Sequence, residues 1–138
     1  MSLNLRVVWE GLDELREWLT SRISEAFKES ALETLNEAAD FGVMRAKQLV
    51  PVATGALQRS IRREPDAQAE ANGFSVGVSA GGGGVVNPRT GREVEYAAHV
   101  EYGTSRTVPQ PYLRPALFEA AQSIPRLFKD EVERRMKS

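Results

Sequence analysis

The segment Tyr96–Arg106, YAAHVEYGTSR, holds the residues best suited to chemistry. His99, the only histidine of the chain, lies two residues from the carboxylate of Glu101, and Thr104 and Ser105 follow at once after Gly103. Such a group could serve a hydrolase in which His99 is the base and Ser105 the nucleophile. That chemistry asks for a serine held on a strand–turn–helix elbow, and no such pattern surrounds Ser105. A metal site usually draws on several histidines or cysteines; this chain has one histidine and no cysteine, so His99 and Glu101 would need ligands pooled from other subunits. The run Gly81–Gly84 suggests a phosphate cradle, but Val85-Val86-Asn87-Pro88 follows in place of the lysine, hydroxyl residue and helix of a P-loop. Arg59, Arg62 and Arg63 form a small basic cluster, diluted by Glu64 and Asp66, and read as a solvated sheet face before a phosphate-binding patch. The residues therefore favour a protein without catalysis, cofactor or metal. A hydrolase and a small cytoplasmic nucleic-acid-binding module stand as alternatives.

Composition narrows the class. The chain has 138 residues, 41% hydrophobic and 27% charged, which is the make-up of one soluble globular domain, residues 1–138. Eighteen Lys and Arg against 19 Asp and Glu give a net charge of -1, so the whole chain offers no electrostatic argument for nucleic acid or anionic lipid. The absence of cysteine excludes disulfides, thiolate zinc sites and a cysteine nucleophile. No apolar run approaches the roughly 20 residues that cross a bilayer. The opening MSLNLRVVWEG lacks the marks of a signal peptide, so the expected compartment is a cytoplasm. Trp9, Trp18, Tyr96, Tyr102 and Tyr112 are not spaced as a base-stacking array; Trp9 and Trp18 are the best candidates for a partner surface.

The elements that must position these residues follow from hydrophobic periodicity. Leu3–Trp9 alternates as a short strand. From Leu12 to Leu49, apolar residues recur at steps of three and four, which predicts an amphipathic helix ended by Pro51. About 38 helical residues would span roughly 55 Å, longer than a compact domain of this size. Either the helix breaks, with Ser30, Asn36 and Gly42 as weak points, or it protrudes and packs on another subunit. Thr54-Gly55 reads as a turn, Leu57–Arg63 as a strand, and Phe74–Ala80 as its antiparallel hairpin partner. Gly81–Glu93 reads as an extended hairpin tip or mobile loop with a turn at Asn87–Thr90. Residues 96–103 suit a strand or a short helix equally. A last helix begins near Pro115 and should be kinked or split by Pro125. The expected fold is α+β: a long N-terminal helix, a small mainly antiparallel sheet with a glycine-rich loop, and a C-terminal helix kinked near Pro125.

Three stretches in order, Ala46–Ile61, Tyr96–Arg106 and Gln110–Leu117, resemble the head–tail joining, or tail-completion, proteins of long-tailed bacteriophages and prophages. The matching positions are Pro51, Val52, Thr54, Gly55, Leu57, Ser60 and Ile61; then Tyr96, Ala97, Val100, Glu101, Tyr102, Gly103 and Thr104; then Pro111, Leu113, Arg114, Pro115 and Ala116. Ala53 departs from the usual Asp of this pattern, whose side chain could close the turn. His99 is not among the matching positions. The resemblance implies a structural, non-enzymatic virion protein without cofactors, made in the bacterial host cytoplasm and carried in the neck. It implies a homo-oligomeric ring, a hexamer being one candidate size, that joins capsid to tail and passes DNA non-specifically through its lumen. Its partners would be itself and other neck and tail proteins, with no membrane involved, and it could be monomeric when isolated. A tail-terminator or tail-tube subunit is the neighbouring alternative. Candidate interface residues are Trp9, Trp18, Gly81, Gly82, Gly83 and Gly84. Glu101 is expected to hold backbone N–H groups or an arginine such as Arg114.

Overall fold

The computed structural model describes residues 1–8, 25–71 and 73–137. Trp9, Trp18 and the expected helical residues before Glu25 lie outside them. In chain order the elements are β1 (Ser2–Val8), α1 (Glu25–Leu49), α2 (Ala56–Ser60), β2 (Arg62–Arg63), β3 (Gln68–Glu70), β4 (Gly73–Ser79), β5 (Val86–Asn87), β6 (Arg92–Glu93), α3 (Ala97–Tyr102) and α4 (Leu113–Lys137). The architecture is α+β, with two long helices against a small antiparallel sheet.

α1 forms because Ala31, Leu35, Ala38, Ala39, Gly42 and Ala46 fall on one stripe, and all of them are buried. The helix runs unbroken through Ser30, Asn36 and Gly42. Its stripe is covered by the same chain: α4 lies antiparallel along it, with Arg45 bonded to Glu119 at 2.9 Å near one end and Arg135 to Glu29 at 3.1 Å near the other. A helix of 25 residues therefore finds its partner within the chain, and the described part needs no second subunit to bury it. Gly42 sits at the crossing, where an added Cβ would come 2.9 Å from Leu117 Cδ2 and 3.4 Å from Ala120 Cβ. Phe27 and Phe128 close the far end edge to face, with ring centroids 5.1 Å apart.

α4 passes through Pro125 without a break, contrary to the expectation of a split. The proline withholds only the bond to the carbonyl four residues back, that of Ala121, and both residues are exposed, so water can take the freed oxygen.

β4 is the centre of the sheet. β1 pairs antiparallel along its full length, Leu5 opposite Val76, and places Leu5, Phe74, Val76 and Val78 in the core. β2 and β3 pair end to end along the other edge of β4, so Arg62 and Arg63 do meet Ser79 and Val78 as the hairpin reading expected. The strand expected over Leu57–Arg63 is corrected to a helix, α2, with only its last two residues extended. Leu57, Ser60 and Ile61 are the buried positions, a three-and-four spacing that only a helical turn can satisfy. β5 and β6 form a separate two-stranded hairpin.

Candidate functional site

The three motif stretches meet at one corner of the molecule, where α2, the glycine arch, α3 and the start of α4 join. α2 begins after Gly55, whose φ of 82° requires glycine, and the Thr54 hydroxyl accepts the Ala56 N–H at 3.3 Å. Gln58 donates to the Lys47 carbonyl at 2.9 Å, so α2 also closes the C-terminal end of α1. Ser60 is fully buried; its hydroxyl donates to Leu57 O and accepts the Gly81 N–H at 2.9 Å.

The arch Gly81–Gly84 has positive φ at all four positions. Arg62 lies across it, donating to the carbonyls of Ser60 and Gly81 at 2.9 Å each, and a Cβ on Gly83 would meet its guanidinium at 2.9 Å. Gly81 packs against Ala97 of α3, where a Cβ would come within 3.2 Å of the alanine methyl. The first motif therefore reaches the second through the glycines. The turn at Asn87 is present: the Asn87 carbonyl accepts Gly91 N at 2.8 Å and its side chain accepts Arg89 N at 2.9 Å.

Residues 97–102 form a helix, which resolves the choice between strand and helix. The helix buries Ala97 and Glu101 one turn apart. Glu101 is 0% exposed and points at the N-terminus of α4. Its Oε1 accepts Leu113 N at 2.6 Å and Tyr112 N at 3.3 Å; its Oε2 accepts Arg114 N and Arg114 Nε, both at 3.4 Å. The next residue, Pro115, has no N–H to satisfy. One carboxylate and one proline thus account for the donors that a helix start leaves unpaired, and the negative charge sits at the positive end of the helix. Arg114 also stacks over Tyr102, 4.6 Å from the ring centroid. Tyr112 is fully buried and donates its hydroxyl to Ala97 O at 3.0 Å. Burial raises its pKa, and the charge of Glu101 and the neighbouring Tyr96 push it the same way.

Between α3 and α4 the chain turns at Gly103, φ 75°, where a Cβ would overlap Pro109 at 2.8 Å. Thr104 organises the loop: its hydroxyl accepts Arg106 N and Thr107 N, and its N–H donates to Thr107 O at 3.1 Å. Gln110 N returns to Val100 O at 2.9 Å. The loop is presented to solvent, with Tyr102 50% and Val108 80% exposed. Pro51, Val52 and Pro111 are exposed, Leu57 and Leu113 are core, and Tyr96, Thr54 and Gly55 are half-buried.

His99 and Ser105 are both exposed and make no hydrogen bond with each other or with a carboxylate among the described residues, so no triad is assembled. No group of three or more His, Asp or Glu among the described residues could hold a metal ion. The basic cluster is dispersed. Arg59 stands on α2, Arg62 clasps the glycine arch, and Arg63 bonds Asp66 and Asp40 at 2.8 Å and Asn36 at 2.9 Å. The hydrogen bond to Asp66 does most to raise the pKa of Arg63, with Asp40 adding and burial opposing. Asn36, which in the sequence looks only like a weak helix former, also accepts Ala67 N at 2.8 Å and ties α1 to the sheet edge. Its place on the helix flank facing the sheet is the signal that marks it.

No curated protein and no solved structure matches the chain. The family described as "Bacteriophage HK97-gp10, putative tail-component" matches residues 13–103, which takes in the first two motif stretches and ends at Gly103, before Gln110–Leu117. The match covers well over half of the 138 residues and fits the resemblance to head–tail joining proteins: the chain belongs to the HK97-gp10-like family of bacteriophage tail components.

Proposed function

We propose that the chain is a non-enzymatic assembly protein of the phage neck, forming a head-to-tail ring that joins capsid to tail around the DNA channel. The observation that carries this reading is the family match over residues 13–103 together with what the motif residues do. They build no reaction centre. Glu101, Tyr112, Gly103 and Thr104 are occupied in fixing a rigid corner, and that corner holds Tyr102, Val108 and Val52 out in solvent, the last 61% exposed. Exposed aromatic and aliphatic side chains on a stiff support suit contact between proteins. A ring made of such contacts needs two different, complementary surfaces on every subunit. The described part of α1 is spent on α4, so the motif corner and the glycine arch are the surfaces left to serve.

The test is removal of the gene from the phage genome, with particles inspected by electron microscopy. Filled heads and finished tails that stay separate are the expected result. Tails of abnormal length, or no tails at all, would replace the neck reading by a tail-terminator or tail-tube role, which the family's description as a tail component also accommodates. Supplying the protein in trans with Val108→Asp should restore joining poorly while leaving the purified protein folded.

A further inference from the structure

Sheet edges attract strands, because each carries a row of unpaired N–H and C=O groups, and proteins usually guard them. The two edges of this sheet are treated differently. The β2–β3 edge is interrupted between Arg63 and Gln68, carries Pro65 and Asp66, and has the Ala67 N–H already taken by Asn36. β1 has none of these devices. Its seven residues, SLNLRVV, contain no proline, no bulge and one charge, and among the described residues no strand lies on its second side.

The groups left open on β1 can be deduced. Met1 and Ala80 exchange both backbone bonds, at 3.1 and 3.4 Å. Antiparallel pairs alternate between bonded and non-bonded. In the register of β1 on β4, Leu3, Leu5 and Val7 are therefore bonded to β4, and Ser2, Asn4, Arg6 and Val8 turn their N–H and C=O groups to the open edge. Leu3 and Val7 pack against the core yet stay half-buried, so the apolar layer also stops short at this edge.

We propose that β1 is a docking edge for the same strand of a second copy of the chain, paired antiparallel about a two-fold axis at Leu5. That register sets Ser2 against Val8, Leu3 against Val7 and Asn4 against Arg6. Every even residue meets an even residue, so the open groups of both edges bond each other throughout. Leu3 covers Val7 on the core face, and no like charges oppose. Other registers leave part of either edge bare. A two-fold pair and a head-to-tail ring obey different symmetry, so this inference stands or falls independently of the proposed ring.

Light scattering across a concentration series, together with amide hydrogen exchange, tests it. A dimer in which the Asn4 and Arg6 amides are protected is expected; protection of the Leu5 amide should not depend on dimerisation. Asn4→Asp should tighten the pair and Asn4→Arg should weaken it by about tenfold, since position 4 faces Arg6 of the other copy. Asn4→Pro, which removes only an outward N–H, should give a monomer of unchanged helical content. A monomer at every concentration overturns the proposal. So does a dimer or ring whose Asn4 and Arg6 amides exchange freely, or one indifferent to the charge at position 4.

Discussion

A carboxylate withdrawn from water is stable only where donors replace its hydration. Glu101 has three backbone N–H groups and the Arg114 guanidinium for that purpose. Glu101→Gln should cost about 1–3 kcal/mol in urea unfolding, because an amide nitrogen would then face donors and the helix would lose its counter-charge. Arg114→Ala should cost less than about 1 kcal/mol, since that side chain is 52% exposed. Tyr112 gives a pH effect of defined sign. Its folded pKa is raised above the ordinary value of 10.0, so its contribution is full below that pH. As pH rises past about 10, the unfolded chain loses a proton that the folded chain keeps, and stability falls by up to ~1.4 kcal/mol per unit. Tyr112→Phe should flatten this alkaline loss in unfolding curves taken between about pH 9 and 11, while lowering stability at neutral pH by about 1 kcal/mol. The role of Glu101 was legible beforehand, because an acid that recurs in a motif ending on a proline-initiated helix suits a cap. The bond from Tyr112 to Ala97 was not, because it joins residues 15 apart across a loop of no fixed pattern.

Elements were read well where one face decides their conformation. β4 and β1 alternate and are strands; α1 keeps a stripe and is a helix. Leu57–Arg63 misled because alternate positions and three-and-four positions both fall on apolar residues in so short a stretch. The deciding signal was Thr54-Gly55, which starts a helix as well as a turn. Gly42 looked like a helix-breaker; it is the place where α1 and α4 come closest. Gly42→Val should therefore destabilise by about 2 kcal/mol despite the general cost of glycine in helices, as thermal unfolding would show. On the same helix Thr34 is 1% exposed and its hydroxyl has no partner among the described residues. Thr34→Val keeps the shape, removes an unsatisfied group, and should raise stability by about 1 kcal/mol.

At the scale of the molecule, the sheet, α1 and α4 share one core, with Leu35, Ile61, Val78, Tyr112 and Leu113 in it at 0–1% exposure. Unfolding should accordingly be a single transition, with far-ultraviolet dichroism and aromatic fluorescence superimposing in urea; two separated midpoints would show independent units. The sequence by itself determined the α+β class, the family and the residues that make the corner, because periodicity, turn chemistry and ordered motifs are local and each leaves a mark along the chain. Only the tertiary structure decided that α1 is covered by α4, that the arginines are dispersed rather than clustered, that Glu101 closes the start of α4, and that β1 keeps an open edge. Those outcomes depend on which surfaces meet across long separations in the chain, and a spacing pattern states which face is apolar without stating what will cover it.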